Sequence, residues 1–325
     1  MKRRRIHGGT GIATVLIAAG LLVPAGAGAA TRPAVTTGPV ANLTQSTVTL
    51  TGRVNPNGAE TTYTFEFGTT RVYGAQSPAP PLSIGNGTQR KAVAVDIGSL
   101  APATTYHYRL VARNSKGVRR GADRTFKTKR QPLGLTLGAT PNPLAPGGNT
   151  TIAGTLSGTG NGGRQIVLQS NPFPFTQGFQ NASNVQLTNA DGTFAFPVLG
   201  VSLNTQYRVV LPNQQQVQSP IVTVGVAPRV TVKTRRVRKT ARGAIIRFRG
   251  RVTPAHDGTQ VAIQKLKRGN WVTIQGTITK HHSSAYSRYR KAVRLRRGGT
   301  FRVYVGVADG DHVASVSRSV KLRVR

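Results

Sequence analysis

One pattern repeats along this chain from residue 31 onward: short runs in which every second residue is apolar, punctuated by clusters of Gly, Pro and Asn. In "AIIRFRGRV", Ile246, Phe248 and Val252 alternate with Arg247, Arg249 and Arg251. In "TYHYRLVAR", Tyr106, Tyr108, Leu110 and Ala112 alternate with His107, Arg109 and Arg113. Successive side chains of an extended strand point to opposite faces, so each run builds a strand with one apolar face to bury. No stretch of comparable length carries helical spacing. The predicted fold class is therefore all-β, a set of sandwiches or barrels.

The first thirty residues read differently. Lys2 to Arg5 form a charged start, Ile12 to Val23 an apolar core ended by Pro24, and small residues lead to an expected cut after Ala29 or Ala30. This is the pattern of a secretory signal peptide. Its apolar run is shorter than the ~20 residues of a spanning helix. The mature chain is expected to be exported, with no integral membrane span after cleavage. It contains no cysteine, which excludes thiol nucleophiles, thiolate metal sites and disulfide staples. Stability must come from buried cores. Two proline-bearing junctions, Arg130-Gln131-Pro132 and Val226-Ala227-Pro228, divide the rest into 31–130, 131–227 and 228–325. Each part has the length and strand count of an immunoglobulin-like sandwich.

In the first part, Leu100, Pro102, Thr104 and Tyr106 spell L-x-P-x-T-x-Y, and Ala112, Asn114 and Gly117 continue the pattern. This resembles the corner before strand F of fibronectin type III domains, with "STVTLTGRVNPNG" as strand B and "TTYTFEFG" as strand C. The tryptophan usual on strand B of that family is missing. A tyrosine at such a corner buries its ring while its hydroxyl meets backbone a few residues upstream, so Tyr106 is expected to be scaffold rather than ligand platform. The other two parts resemble each other and bacterial immunoglobulin-like modules. "TTIAGTLSGTGNGGRQIVLQS" parallels "AIIRFRGRVTPAHDGTQVAIQ", and "TQYRVVLP" parallels "GTFRVYVG".

Catalytic chemistry is hard to find. The whole chain has 8 acidic residues, none spaced as a general acid and base pair, and no nucleophile elbow or phosphate-binding glycine loop. The expectation is a non-enzyme without cofactor or metal. "DGDH" (Asp309 to His312) has the alternating aspartates of a calcium loop but lacks its further oxygen ligands, so it reads as a polar turn. His281 and His282, with His256, offer imidazoles, but neighbouring residues on a strand face opposite ways. Phe173, Phe175 and Phe179 in "SNPFPFTQGFQN" are expected to fold back on their own sandwich. Trp271 is expected to pack on strand C, with sugar stacking as its functional alternative.

Charge is the unusual property. Residues 228–325 hold 25 basic and 3 acidic residues, whereas 131–227 hold only Arg164 and Arg208 against Asp191. Alternation sends Arg247, Arg249 and Arg251 outward from one strand, and Arg288, Arg290, Arg294 and Arg296 from another, with Lys291 breaking the rule at an expected bulge. As strands B and E these would be neighbours sharing one face, joined by Lys233. Like charges opposed on paired strands repel unless anions intervene. The expected partner is an anionic cell-wall polymer or anionic polysaccharide, which would hold a secreted adhesion or scaffold protein at the cell surface; the chain shows no lipobox cysteine, sorting tail or C-terminal spanning helix. Non-specific nucleic-acid binding is a second outcome of the same charge. A neutral-glycan module using Trp271 and a plain spacer are the alternatives.

Overall fold

A computed structural model describes residues 29–324, except 242 and 308. The signal-peptide expectation falls on residues 1–28 and lies outside the described residues. Among the described residues the regular structure is all strand, and no helix is long and apolar enough to cross a membrane. The chain divides into two compact units, one ending at Lys129 and one spanning Arg130–Arg325. The first contains one hydrophobic core and the second contains two. Strands belonging to successive cores are separated by residues 128–133 and 225–228.

In the first unit, a sheet of Ala34–Ala41, Val48–Asn55 and Lys91–Ile97 faces a sheet built on Thr61–Gly68 and Thr105–Asn114. The alternation of the latter strand is realised: Tyr106, Tyr108, Leu110 and Ala112 are all buried. The Tyr106 hydroxyl accepts a hydrogen bond from the Ala101 backbone N–H at 3.0 Å, and its ring stacks on Phe126 with centroids 5.4 Å apart. Leu100 is buried beneath the corner, and the Thr104 hydroxyl donates to the Pro102 carbonyl at 3.0 Å. The four corner residues thus close a backbone loop onto the core.

The two cores of the second unit share one topology. Each lies between a sheet joining the second and fifth principal strands and a sheet joining the third and sixth. These pairs are Gly148–Ser157 with Thr193–Val201 and Gln165–Pro172 with Thr205–Leu211, then Gly243–Thr253 with Tyr286–Leu295 and Gln260–Lys267 with Gly299–Gly306. The likeness reaches single side chains. Arg208 bonds Gln169 across the sheet at 2.9 Å and lies 4.2 Å from the Phe179 ring; Arg302 bonds Gln264 at 2.8 Å and lies 4.3 Å from the Trp271 ring. Ser219 accepts from the Val209 N–H, and Ser317 accepts from the Val303 N–H, each at 2.9 Å. The architecture is a series of immunoglobulin/fibronectin type III-like β-sandwiches.

Candidate functional site

The arginine face is built on two long strands. Gly243–Thr253 and Tyr286–Leu295 pair antiparallel in unbroken register, with Ile246 opposite Val293, Arg249 opposite Arg290 and Arg251 opposite Arg288. Their inner residues Ala244, Ile246, Phe248, Val252, Tyr289, Val293 and Leu295 fill the core. That burial forces the alternate positions outward, and Arg249, Arg251, Arg288, Arg290 and Arg294 are exposed while Arg247 is half-buried. The strand Lys233–Thr240 flanks them, setting Lys233 opposite Arg249 and Arg235 opposite Arg247. On the other edge, Lys280 stands opposite Arg288. Three cationic rows result: Lys233–Arg249–Arg290, Arg235–Arg247, and Arg251–Arg288–Lys280.

Two details of this face differ from the sequence expectation. No bulge occurs at Lys291; the register runs through it, placing Lys291 half-buried on the inner side opposite Phe248. Its long stem can cover apolar surface at the sheet margin while the ammonium reaches water. Arg296 lies beyond the strand, which ends at Leu295, in a bend where alternation no longer fixes direction. Conversely, Arg235 and Lys280 belong to the face and were missed. Their short flanking strands carry almost no apolar residues, so no periodicity announced them. Arg238 joins by a register shift after Arg236 that sets it opposite Ile245.

Among the described residues, none of these cations is paired with a carboxylate. Their organiser is aromatic. Tyr286 projects on the same face, with the Arg251 guanidinium 4.5 Å from its ring centre and Arg288 at 5.6 Å. Arg288 also donates to the Tyr286 hydroxyl at 3.1 Å. The His282 ring packs against Tyr286 at 4.6 Å, and desolvation together with the Arg288 and Arg251 charges holds its pKa below the usual value. Tyr286 thus contacts two guanidinium groups of the face.

The aromatic alternatives are committed elsewhere. Trp271 sits not on strand C but on the edge strand Asn270–Ile278, half-buried, with Arg302 across its ring. Phe173 and Phe175 pack edge to face at 5.7 Å, both half-buried, while Phe179 carries Arg208. The remaining histidines make separate contacts. His281 pairs with Asp257 at 2.7 Å, whereas His256 meets His312, its Nε2 lying 3.2 Å from His312 Nδ1.

No protein-family model matches the chain, and no curated protein matches it. Among solved structures, it is similar to domains A168–A170 from titin, at 16% identity over 89% of this chain and 98% of that one, with a TM-score of 0.37. It is similar to the FN1–FN3 domains of chicken CNTN1, at 13% identity over 90% and 99%, with a TM-score of 0.29. A tetra-tandem repeat in the extending region of a large adhesion protein gives 15% identity over 90% and 74%, with a TM-score of 0.27. At such scores the likeness adds nothing to what the strand order shows.

Proposed function

We propose that the protein is a secreted, non-catalytic adhesion or scaffold protein of three sandwiches, retained at the cell surface by ionic binding of its third sandwich to an anionic polymer of the wall or an anionic polysaccharide. The observation that carries this reading is the set of cationic rows across four paired strands with no carboxylate partner among the described residues. Adjacent strands lie ~4.8 Å apart and alternate residues ~7 Å apart along a strand. That grid suits successive sulfate, phosphate or carboxylate groups better than a single small anion. Arginine's planar fork favours such oxyanions over a point charge. A field of one sign also speeds the approach of a polyanion.

The non-catalytic part of the reading is supported by how the carboxylates are engaged. Glu60 accepts from Ser83, Glu66 pairs with Arg109, Asp96 accepts from Thr49, Asp123 from Tyr73, Asp191 from Thr193 and Asp257 from Ser287. Asp309 and Asp311 both approach His256.

The test is binding of the whole mature chain to anionic and neutral polymers across a salt series, beside a variant with Arg247, Arg249, Arg288 and Arg290 changed to Gln. Steep salt dependence, lost in the variant, supports the reading, and the ranking of polymers identifies the partner class. Absence of binding at low salt, or unchanged binding by the variant, reduces the face to a solvated surface and the protein to a spacer. Preference for nucleic acid over polysaccharide and wall polymer would replace the proposed partner.

A further inference from the structure

A second cluster is built from the loops of the same sandwich. His256 follows the strand Gly243–Thr253, and Asp309, Asp311 and His312 lie in the turn after Gly299–Gly306. These connections meet at one end of the sandwich. His256 Nε2 lies 3.2 Å from His312 Nδ1, 3.5 Å from Asp309 Oδ2 and 3.5 Å from Asp311 Oδ1, while His312 Nδ1 lies 2.8 Å from Asp311 Oδ1. Both imidazoles are almost wholly enclosed, their side chains 3% and 2% exposed.

With both rings neutral, the protons do not account for this arrangement. His256 Nδ1 lies 3.0 Å from the Pro254 carbonyl, which can only accept, so Nδ1 carries the hydrogen. In the neutral ring, Nε2 then aims a lone pair at two carboxylates and a second imidazole. His312 Nδ1 has one hydrogen at most to share between Asp311 and His256. Asp311 Oδ1 is buried without a well-formed hydrogen bond. Lone pairs from His256, His312 and Asp311 converge where a single hydrogen cannot satisfy them all, and buried polar groups left in that state are costly.

A cation resolves it. Ligands ~2.0–2.1 Å from a tetrahedral zinc ion stand ~3.3 Å from one another, and the three separations among His256 Nε2, His312 Nδ1 and Asp311 Oδ1 run from 2.8 to 3.5 Å. Two nitrogens and two carboxylates suit a borderline ion with four ligands; calcium demands six to eight oxygens. The Pro254 carbonyl on the far nitrogen of His256 is the outer support that metal-bound imidazoles usually have. Two aspartates offset a divalent charge, and they are two of only 3 acidic residues in 228–325. We infer that His256 Nε2, His312 Nδ1 and Asp311 hold a divalent ion of the zinc class, with Asp309, next to His256, as the carboxylate that completes a four-coordinate set on binding.

The site would serve as a staple. It ties the loop at His256 to the turn at 309–312 in a chain without disulfides. The same turn is gripped from the second sandwich, because Asn204 donates from its backbone N–H to the Asp311 carbonyl at 2.7 Å and from its side chain to the Gly310 carbonyl at 2.9 Å. Asn204 also accepts from the Val226 N–H at 2.8 Å. Bound metal therefore fixes the turn on which the second sandwich rests.

The test uses the tag-free mature chain, stripped with chelator and dialysed against Zn(II) or Co(II). The expected result is one Zn(II) retained per chain, and a Co(II) form with the intense visible absorption of a four-coordinate ion, bleached by Zn(II). His256→Ala and His312→Ala should each lose affinity by more than roughly 100-fold, beyond the effect of an outer-shell partner. His281→Ala should bind as wild type. Should the buried variants fail to fold, Asp309→Asn at the more exposed ligand provides a second check and should alter the Co(II) spectrum. The inference is overturned if the wild-type chain retains no ion, if the Co(II) spectrum is the weak one of a six-coordinate ion, or if His256→Ala and His312→Ala bind unchanged.

Discussion

Arg249 stands directly opposite Arg290 in the adjacent strand, and Lys233 stands opposite Arg249 on its other side. Directly opposed like charges destabilise a pair by a few tenths to ~1 kcal/mol. The core beneath, with Phe248, Tyr289 and Val293 buried, holds the strands together against that repulsion. Arg249→Gln should therefore raise the Tm of the third sandwich by a few degrees at low salt, on the order of what ~0.5–1 kcal/mol provides in a domain of this size. The gain should shrink as salt screens the face. A bound polyanion should reverse the order, because it stabilises the wild type more. Fluorescence of Trp271, the chain's one tryptophan, reports the transition. A variant less stable than wild type at low salt would sink the idea that the arginines are in conflict.

His282 reports the same field from inside it. Desolvation and the nearby Arg288 and Arg251 charges depress its pKa, so its unfolded form takes up protons at higher pH than its folded form. The sign follows: protonation of His282 costs stability, and this contribution is present above the unfolded value near ~6.5 and is lost as pH falls through the folded value. An anion seated on the arginines offsets their charge. Its binding should raise the His282 pKa and, by linkage, bind more tightly as pH falls through the range where His282 titrates. An NMR titration of the imidazole with and without a sulfated oligosaccharide measures both. An unmoved pKa at saturating ligand would place the anion elsewhere.

Much of this was legible in sequence because alternation carries two messages at once. Ile246, Phe248 and Val252 announced a strand, and by burying themselves they dictated where Arg247, Arg249 and Arg251 must point. The corner at Tyr106 was readable because its contacts span five residues, from Ala101 to Tyr106. Arg235 and Lys280 escaped because their strands have no apolar face, being held only by their neighbours' backbones. Arg296 falls one step past the strand's end, where alternation no longer fixes its direction. The His256–His312 contact joins residues 56 positions apart through two loops, and no local pattern encodes such a meeting. "DGDH" was read alone, without its partner.

The paired constellations of Gln169, Arg208 and Phe179 and of Gln264, Arg302 and Trp271 bear on what Trp271 does. An aromatic ring capped by an arginine that is itself held by a cross-strand glutamine is a packing unit, repeated in two sandwiches of unlike charge. Trp271→Ala should lower stability by ~1–2 kcal/mol, the scale of a half-buried aromatic with a cation–π contact. Arg302→Gln should cost less, roughly 0.5–1 kcal/mol. Neither should weaken binding at the proposed polyanion face, which lies on the opposite sheet. Circular dichroism melts and the binding assay separate the two effects. A Trp271→Ala chain of wild-type stability that loses affinity for neutral glycan would instead make Trp271 a sugar platform.

Asp123 gives the first unit an acid-sensitive joint. Burial alone would raise its pKa, but hydrogen bonds from His107 and Tyr73, with the His107 and Arg71 charges, hold it below the usual value. His107 Nδ1 lies 2.9 Å from one carboxylate oxygen and the Tyr73 hydroxyl 2.9 Å from the other. With a folded pKa below the unfolded one, the stabilisation is present above the unfolded value near ~3.9 and is lost as pH falls through the folded one. Asp123→Asn should therefore cost up to about 1 kcal/mol at neutral pH, a partly solvated pair being worth no more. The difference from wild type should close as pH falls below ~4. Hydrogen exchange of peptides covering residues 105–127 in the intact chain, measured in a pH series with exchange rates corrected for pH, follows it directly. A difference that persists undiminished into acid would mean that the amide side chain disrupts packing at this position, rather than that a charge has been removed.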